Sequence, residues 1–314
     1  MKTELWEVLS CPCTEKSQLV ETGGKIHCSK THCVHSLSGK CFYNLDGVPI
    51  IISRNLCDTV CDPDKTSSYV ERGGAIIEAV KSKTKFKNKI TEKNCSRFIE
   101  YVKKSNNRPK ILVIGSGTKG GGTEQLWDDK NVIIEGVDVY VSPTVSIVCD
   151  AHYLPFKSEV FDGVWIQAVL EHVVNPALVV SEIFRVLKEN GVVYSEIPFM
   201  QQVHEGAYDF TRYTVLGHRY LYRKFQSLDC GPLDGIEVSL GWSLQYFVWS
   251  LTRNRNVAKV VGTLFKLLLA PLNKILSREA RYDSCSGSYF LGIKDSRIEL
   301  SHKEILILYK GLCR

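Results

Sequence analysis

The sequence of 314 residues predicts an α/β protein in which a doubly wound, Rossmann-like sheet follows a small β-rich ribbon. Two observations support this prediction. From residue 110 onward, apolar runs of strand length alternate with segments of helical pattern, as expected for parallel strands joined by helices. Before that, two close pairs of cysteines stand among turn residues, which is typical of a small cysteine-ligated unit. Length alone also suggests roughly two domains.

Composition and cysteine content narrow the class of protein. Hydrophobic residues make up 44% of the chain and charged residues 24%, as in ordinary globular proteins. The opening MKTELWEVLSCPC lacks the apolar core of a signal peptide, and no run approaches the roughly 18 apolar residues of a membrane span. We therefore expect a cytoplasmic protein whose twelve cysteines are metal ligands or buried thiols, not disulfides.

Five strands of the sheet follow one another between residues 110 and 198. Each is a short apolar run, consistent with a buried parallel strand. They are KILVIGSG, NVIIEGVDV, SIVCD, FDGVWIQAV and GVVYSEIP. The helix before the fifth strand is well marked, because Asn175 can cap its first turn, Pro176 suits the first helical position and Gly191 follows its end.

Beyond residue 200 the alternation of strands and helices is less regular. We expect a helix in YTVLGHRYLYRKF, a strand in IEVSL and a final strand in SGSYFLGIK. Between these last two strands, residues 242–280 are predicted to form a helical insertion.

A glycine-rich turn follows the first predicted strand of the sheet. The segment GSGTKG, residues 115–120, fits the pattern G-x-G-x-x-G, in which glycine lets the backbone turn sharply and approach a ligand. Asp138 ends the second strand, where its carboxylate can accept hydrogen bonds from ribose hydroxyls. These residues predict a nucleotide site for NAD or S-adenosylmethionine. The non-functional alternative is a tight turn beside an incidental aspartate.

The motifs after the glycine turn distinguish these two cofactors. DVY, DAHYLPF, FDGVWIQAVLEHV and RVLKENGVVYSEIP follow in order, and over residues 110–200 the chain resembles class I S-adenosylmethionine-dependent methyltransferases of the small-molecule type. The resemblance implies a cofactor site of eight residues: Gly115, Ser116 and Gly117 at the methionine and ribose end, Asp138 with Val139 at the ribose hydroxyls, Asp150 and Ala151 at the adenine, and Gln167 near the sulfonium.

The cysteines near the start of the chain form two pairs, Cys11-x-Cys13 and Cys28-x4-Cys33. Two such pairs on facing turns can hold a tetrahedral Zn²⁺ ion, and a unit of this size gains much of its folding free energy from the metal. The stretch from LWEVLSCPC to FYNLDGVPIII resembles the zinc ribbon that precedes many bacterial methyltransferases. We therefore predict a structural Zn²⁺ ion bound by these four cysteines.

Two departures from the ribbon pattern leave the ligand set open. The first pair is one residue shorter than the usual C-P-x-C, and the second pair is spaced more widely. The alternatives are a ribbon without metal or a mixed ligand set that draws on the nearby His27, His32, His35 and Cys41. Cys57 and Cys61 form a further pair, which we assign to a linker.

The segment after the fifth strand, EIPFMQQVHEGAYDFTRYT, is rich in groups that can carry a proton or a charge. It resembles the P-F-x4-H-x4-D-x2-R-[YF]-T segment of methyltransferase-domain proteins encoded among surface-glycan and lipopolysaccharide genes. We predict His204 as a catalytic base, Asp209 as its orienting partner or an alternative base, and Arg212 as the partner of an anionic substrate group. Glu171-His172 is common in this fold, and we expect it to be structural.

These features predict an enzyme that transfers a methyl group from S-adenosylmethionine to an oxygen atom of a small-molecule or glycan acceptor, including lipid-linked acceptors. The main alternative is an RNA methyltransferase that uses the basic stretch 81–110, which holds eleven Lys or Arg against two Glu. The others are a non-catalytic binding module of the same fold and a dehydrogenase that uses Tyr220 and Lys224. The lack of an N/D-P-P-[YF] motif after the fourth strand disfavours an amino-group acceptor.

The predicted domains are a zinc-ribbon-like unit (1–56), a basic helical linker (57–108) and the methyltransferase domain (109–314). Within the helical insertion, Lys259, Lys266 and Lys274 fall close to one helical face among apolar residues. Such a helix can lie on an anionic membrane. Peripheral contact with the inner face of the membrane is therefore an alternative to a purely cytoplasmic location.

Overall fold

A computed structural model of the chain describes residues 3–13, 15–34, 42–53, 60–62, 64–68 and 88–312. Of the residues named above, His35, Cys41, Cys57 and the lysine-rich part of the basic stretch before residue 88 lie outside these ranges. A mixed sheet of eleven strands forms the centre of the molecule. This confirms the predicted α/β fold class.

The first four strands belong to the N-terminal ribbon. They follow the short helix α1 (Thr3–Val8) and are β1 (Leu19–Thr22), β2 (Lys25–Cys28), β3 (Phe42–Leu45) and β4 (Val48–Ile51). Each of these strands pairs with the next in antiparallel fashion. The ribbon is therefore β-rich, as predicted.

The other seven strands form the larger part of the sheet. They are β5 (Lys110–Ile114), β6 (Ile133–Asp138), β7 (Ile147–Cys149), β8 (Phe161–Gln167), β9 (Leu187–Pro198), β10 (Phe225–Pro232) and β11 (Gly287–Lys294). They lie in the order β7-β6-β5-β8-β9-β11-β10. The first five strands in this order are parallel to one another, and β11 is antiparallel to both of its neighbours. The strand order reverses between β5 and β8, and α/β folds bind ligands at the carboxyl ends of strands at such a point.

Helices connect and cover these strands. They are α2 (Lys89–Ser105), α3 (Glu124–Asp128), α4 (Pro176–Val186), α5 (Val215–Leu221), α6 (Ile236–Thr252), α7 (Arg255–Leu269), α8 (Arg278–Ser284) and α9 (His302–Ile307). Helix α4 begins as the sequence predicts, because Asn175 Oδ1 accepts a hydrogen bond from Leu178 N at 3.1 Å and Pro176 occupies the first turn.

Helix α2 packs against the sheet, although its residues fall within the predicted linker. Phe98 and Val102 are buried, and the Phe98 ring meets Trp165 of β8 edge to face at 5.4 Å. Gly163 allows this close approach, because a Cβ atom there would lie 2.7 Å from Phe98 Cζ. The packed part of the larger α/β domain therefore begins about residue 89, within the predicted linker.

Two elements after residue 200 differ from the prediction. The segment IEVSL begins helix α6, so the predicted strand is wrong, and the outermost strand is β10 (Phe225–Pro232). The alternation of Ile236, Val238 and Leu240 suggested a strand, but the buried side chains are the intervening Glu237 and Ser239. Helices α6, α7 and α8 confirm that the insertion is helical. No helix in the described part of the chain is long and apolar enough to cross a membrane.

The ribbon extends the larger part of the sheet at one edge. Strand β4 pairs in parallel with β7, where Ile50 lies opposite Val148. A second contact joins the start of the chain to the segment after β7, because Ser10 N donates to the Pro155 carbonyl oxygen at 3.0 Å. The ribbon is therefore attached to the strand that leads directly to Asp150.

Candidate active site

The glycine turn after β5 brings the backbone close to the segments that follow β6 and β8. Gly115 has a φ of +79°, and a Cβ atom there would lie 2.2 Å from Val169 Cγ2, so glycine is required. A Cβ on Gly117 would lie 2.7 Å from Asp138 Oδ2. Ser116 between them is fully buried. The two glycines thus let the turn pack closely against Val169 and Asp138, beside the segments that follow β8 and β6.

Asp138 ends β6 and fixes the same turn. Its Oδ2 accepts a hydrogen bond from Gly117 N at 2.7 Å, and its Oδ1 accepts one from Val139 N at 2.7 Å. The carboxylate is therefore held in one orientation by two backbone amides. Because each carboxylate oxygen can accept more than one hydrogen bond, this orientation is compatible with binding ribose hydroxyls.

Asp150 lies at the carboxyl end of β7 and is held by His152. Its Oδ1 accepts a hydrogen bond from His152 N at 2.9 Å and lies 2.6 Å from His152 Nδ1. His152 Nε2 accepts from Asn175 N at 3.1 Å, which assigns the ring proton to Nδ1 and makes Asp150 its acceptor. His152 is thus a positioning residue that the sequence analysis missed, although it stands within the quoted motif DAHYLPF.

These elements surround a cavity of about 470 Å³, a size typical of small-ligand sites. Six of the eight predicted cofactor residues line it, namely Gly115, Asp138, Val139, Asp150, Ala151 and Gln167. His172, His204 and Tyr208 line the same cavity. The residues predicted for the cofactor and the histidine predicted for the acceptor therefore share one space. Trp127 and Tyr140 also line it. Tyr140 stands in the quoted motif DVY but was given no role, and no sequence motif marked Trp127.

Gln167 at the end of β8 connects the cavity to a buried polar network. Its Nε2 donates to Glu196 Oε2 at 2.9 Å, and Glu196 Oε1 accepts from Thr91 Oγ1 at 2.6 Å and from the Tyr194 hydroxyl at 2.5 Å. Burial raises the pKa of Glu196 to about 7, although these three hydrogen bonds oppose the rise. The network holds the Gln167 amide at the cavity and involves helix α2, within the predicted linker.

His172 and His204 meet at the cavity beside a buried carboxyl group. Their rings pack edge to face with centroids 5.0 Å apart, and their Nε2 atoms lie 3.6 Å and 3.8 Å from Glu171 Oε1. Burial raises the pKa of Glu171 to about 8. Burial, and then the neighbouring His172, lower the pKa of His204 below its usual 6.5. The His204 imidazole is therefore neutral at physiological pH and can accept a proton.

Asp209 and Arg212 lie next to His204 but outside the cavity lining. Arg212 donates to both carboxylate oxygens of Asp209 and to three backbone carbonyl oxygens, those of Gln201, Gln202 and Thr211. These bonds occupy its N–H donors, so the structure gives Arg212 protein partners where the sequence suggested a substrate anion.

The environment of Asp209 favours an orienting role over a role as base. Burial opposes ionisation, but the hydrogen bonds from Arg212 and from His204 N hold the pKa of Asp209 at about 2. The group is therefore a weakly basic carboxylate, and it lies 3.2 Å from His204 Nδ1.

The pair predicted for a dehydrogenase lies elsewhere. The Tyr220 hydroxyl contacts His302 Nε2 at 2.8 Å, and Lys224 Nζ lies 3.8 Å from Glu299 Oε2. Neither Tyr220 nor Lys224 lines the cavity.

Residues 112–195 match the sequence profile of a family described as methyltransferase domain. This part of the chain is therefore identified as a methyltransferase domain. The matched segment runs from β5 to β9 and includes the glycine turn, Asp138, Asp150 and Gln167. The comparison with curated proteins found no match to the sequence.

Several solved structures are similar to the methyltransferase domain at low sequence identity. A SAM-dependent methyltransferase from Archaeoglobus fulgidus aligns over 69% of this chain and 99% of its own, with 17% identity and a TM-score of 0.42. Phosphoethanolamine N-methyltransferase 2 from Haemonchus contortus aligns over 71% and 60%, with 16% identity and a TM-score of 0.38. The [4+2]-cyclase SpnF aligns over 65% and 81%, with 16% identity and a TM-score of 0.40. These named activities differ, so they do not indicate an acceptor for this chain.

The four predicted cysteine ligands converge in the ribbon that precedes the methyltransferase domain. Cys11, Cys13, Cys28 and Cys33 are buried, and their sulfur atoms lie within 4.8 Å of one another. The Sγ atoms of Cys11 and Cys33 are 3.7 Å apart. Tetrahedral Zn²⁺ with bonds of about 2.3 Å places its sulfur ligands about 3.8 Å apart. Although Cys11 and Cys13 are separated by one residue fewer than usual, the distance from Cys11 to Cys33 suits two sulfur ligands of zinc.

The buried Glu196 network predicts a pH-dependent effect of Glu196→Gln on the methyltransferase domain. The folded state holds a proton on Glu196 that the unfolded state releases between pH 4.5 and about 7. The stabilisation of the folded state by this bound proton is fully present below pH 4.5 and is lost as pH rises towards 7. The variant lacks this proton, so its free energy of unfolding, relative to wild type, should rise by up to about 3 kcal/mol across this range.

Urea unfolding at the two ends of this pH range measures the Glu196 effect. Glu21→Gln, which removes an exposed carboxylate of β1, serves as the matched control. A constant difference for Glu196→Gln would show that the carboxyl group is not protonated in the folded state.

Proposed function

We propose that the methyltransferase domain transfers a methyl group to an oxygen atom of a small-molecule or glycan acceptor, including lipid-linked acceptors. One observation carries the proposal: His204, a neutral imidazole, lines the same cavity as the predicted cofactor residues. When bound, S-adenosylmethionine supplies a methyl group on a positively charged sulfur that an oxygen nucleophile can displace.

Different residues of the chain would bind the cofactor and activate the acceptor. Asp138 and Asp150 are fixed carboxylates that can bind the ribose and the adenine amine, and Gln167 can orient the methionine end. His204 can take the acceptor's hydroxyl proton at Nε2 as the oxygen bonds to the methyl carbon. Asp209, held by Arg212, orients the His204 ring through Nδ1.

The surface beside the cavity supports a lipid-linked acceptor. Helix α6 contacts the segment just before His204, because the Tyr246 hydroxyl donates to the Val203 carbonyl oxygen at 2.6 Å. Helices α6 and α7 expose large apolar side chains, including Phe247, Leu251, Val260, Leu264 and Leu268. Lys259 is exposed on the same hairpin. Apolar and basic groups together are what an anionic membrane surface binds.

The described part of the basic stretch gives little support to an RNA acceptor. Two of its cations are paired within the protein: Arg97 lies 2.5 Å from an Asp229 oxygen, and Lys103 lies 2.5 Å from an Asp129 oxygen. Labelled RNA in the test below would therefore contradict the proposal.

For the ribbon, the proposed metal is a structural Zn²⁺ bound by its four clustered cysteines. The sulfur spacing described above supports this ligand set. His27 and His32 stand outside that cluster, since the four cysteines alone group together among the described ribbon residues.

A labelling screen tests the acceptor class directly. The protein is incubated with methyl-labelled S-adenosylmethionine and cell extract, and the products are separated into RNA, lipid and polysaccharide fractions. We expect label in the lipid, polysaccharide or small-molecule fraction, released by treatments that cleave methyl ethers or esters. Label confined to RNA, or on nitrogen, would overturn the proposal.

His204→Ala should lower kcat for the labelled acceptor by about 100-fold to 10,000-fold, the usual contribution of general acid–base catalysis. The affinity for S-adenosylmethionine should stay near that of wild type. His302→Ala, which removes an exposed histidine that does not line the cavity, is the matched control. Unchanged turnover in His204→Ala would remove this residue from the mechanism.

A further inference from the structure

Glu171, His172 and His204 form a second group of potential metal ligands, separate from the cysteine cluster. One ligand atom from each lies within 4.8 Å of the other two. Glu171 and His172 sit in the 3₁₀ turn after β8, and His204 follows β9, so the sheet brings the two segments together. Two imidazoles and one carboxylate leave coordination positions open on a first-row transition metal.

The Glu171 carboxyl group is an unusual feature of this cluster. Its side chain is 1% exposed, and neither oxygen has a hydrogen-bond partner among the described residues. A buried polar group without partners is costly, so such a group calls for an explanation. Both imidazole Nε2 atoms lie near the same Glu171 oxygen, at 3.6 Å and 3.8 Å, which is too long for hydrogen bonds. A cation between the three side chains would satisfy the carboxylate.

Both histidines are oriented as metal ligands usually are. His172 Nδ1 lies 2.8 Å from the Tyr208 carbonyl oxygen, which can only accept, so the ring proton is on Nδ1. His204 Nδ1 lies 3.2 Å from Asp209 Oδ2, closer than the 3.5 Å to Arg212 Nη2. Each Nε2 thus carries a lone pair directed towards Glu171. Acceptors that hold the far nitrogen of a histidine are typical around bound metals.

We propose that Glu171, His172 and His204 bind a divalent first-row transition metal at the cavity. The arrangement of the three side chains supports metal binding by itself. The role of the metal in methyl transfer rests on the proposed function. The metal would bind the acceptor's hydroxyl oxygen and lower the pKa of that hydroxyl. The proton passes to a solvent water, and the oxygen then bonds to the methyl carbon as the carbon–sulfur bond breaks. The base role proposed above for His204 applies to the metal-free protein, whereas His204 would be a ligand when the metal is bound.

Cobalt binding to the full chain tests the site, because Co²⁺ reports its ligands in its absorption spectrum. Thiolate ligands in the ribbon give intense charge-transfer bands, whereas imidazole and carboxylate ligands give only weak d–d bands. Protein freed of metal by a chelator should bind two equivalents of Co²⁺. His172→Ala and His204→Ala should each lose the weak-band equivalent or bind it at least about tenfold more weakly, the usual effect of disturbing a metal site. The intense bands should remain.

Matched variants separate this proposal from other outcomes. Cys28→Ser should lose the thiolate bands and keep the second equivalent, and His302→Ala should keep both. Glu171→Gln is a second variant that removes the charge but keeps the shape of the side chain. Two results would overturn the metal site. In one, the wild-type protein binds a single equivalent of Co²⁺, and only Cys28→Ser loses it. In the other, both histidine variants still bind two equivalents. Such a result would leave the proposed function intact, because S-adenosylmethionine binding and product labelling are measured separately.

Discussion

Asp138→Ala should weaken S-adenosylmethionine binding by about 100-fold or more. The carboxylate binds the ribose in the proposed site and also fixes the glycine turn by accepting from Gly117 N at 2.7 Å. Hydrogen bonds to a charged group contribute about 1.5–3 kcal/mol each, and about 1.4 kcal/mol corresponds to a tenfold change in affinity. Because Asp138 has both functions, we expect this substitution to weaken cofactor binding more than any other single substitution in the cavity.

Calorimetric titration with S-adenosylmethionine measures the Asp138 effect. Asp138→Asn keeps one carbonyl oxygen as an acceptor and should bind with intermediate affinity. Asp229→Ala, which removes an aspartate paired with Arg97 and outside the cavity lining, should bind like wild type. Wild-type affinity in Asp138→Ala would exclude the proposed cofactor orientation, and lack of binding by the wild-type chain would refute cofactor binding itself.

Cys33→Ser should unfold the ribbon and release its zinc. Structural zinc contributes roughly 10–16 kcal/mol of binding free energy in small zinc units, so losing one thiolate removes much of the free energy that keeps such a unit folded. The effect should extend into the methyltransferase domain. Strand β4 covers the edge of β7, and the backbone near Ser10 is bonded to the segment after Asp150. Cofactor affinity should therefore fall as well.

Metal analysis together with hydrogen exchange tests the role of the ribbon. Wild-type protein should contain zinc that Cys33→Ser lacks, and amides of β7 and residues 150–157 should exchange faster in the variant. Cys230→Ser, a half-buried cysteine of β10 outside the cluster, is the matched control. Retention of zinc by Cys33→Ser would favour a mixed ligand set, and unchanged exchange would show that the ribbon folds without metal.

Two segments show where local sequence patterns give an incomplete or wrong prediction of the structure. The alternation in IEVSL has the period of a strand, yet the segment continues as helix α6 and buries Glu237 and Ser239. Residues 89–105 form a helix, as the predicted basic helical linker implies, but a few apolar side chains, such as Phe98, also pack α2 on the sheet. In both cases the tertiary surroundings outweigh local composition.

The sequence alone determined the doubly wound sheet, the glycine turn with Asp138 and the ribbon with its four cysteines. These features depend on residues close in the chain: apolar runs, a positive φ that glycine favours, and short cysteine spacings. Only the tertiary structure joined Glu171 and His172 to His204 and attached the ribbon to β7. Those contacts link segments far apart in the chain, and parallel strands bring their carboxyl ends to one edge whatever their separation in sequence.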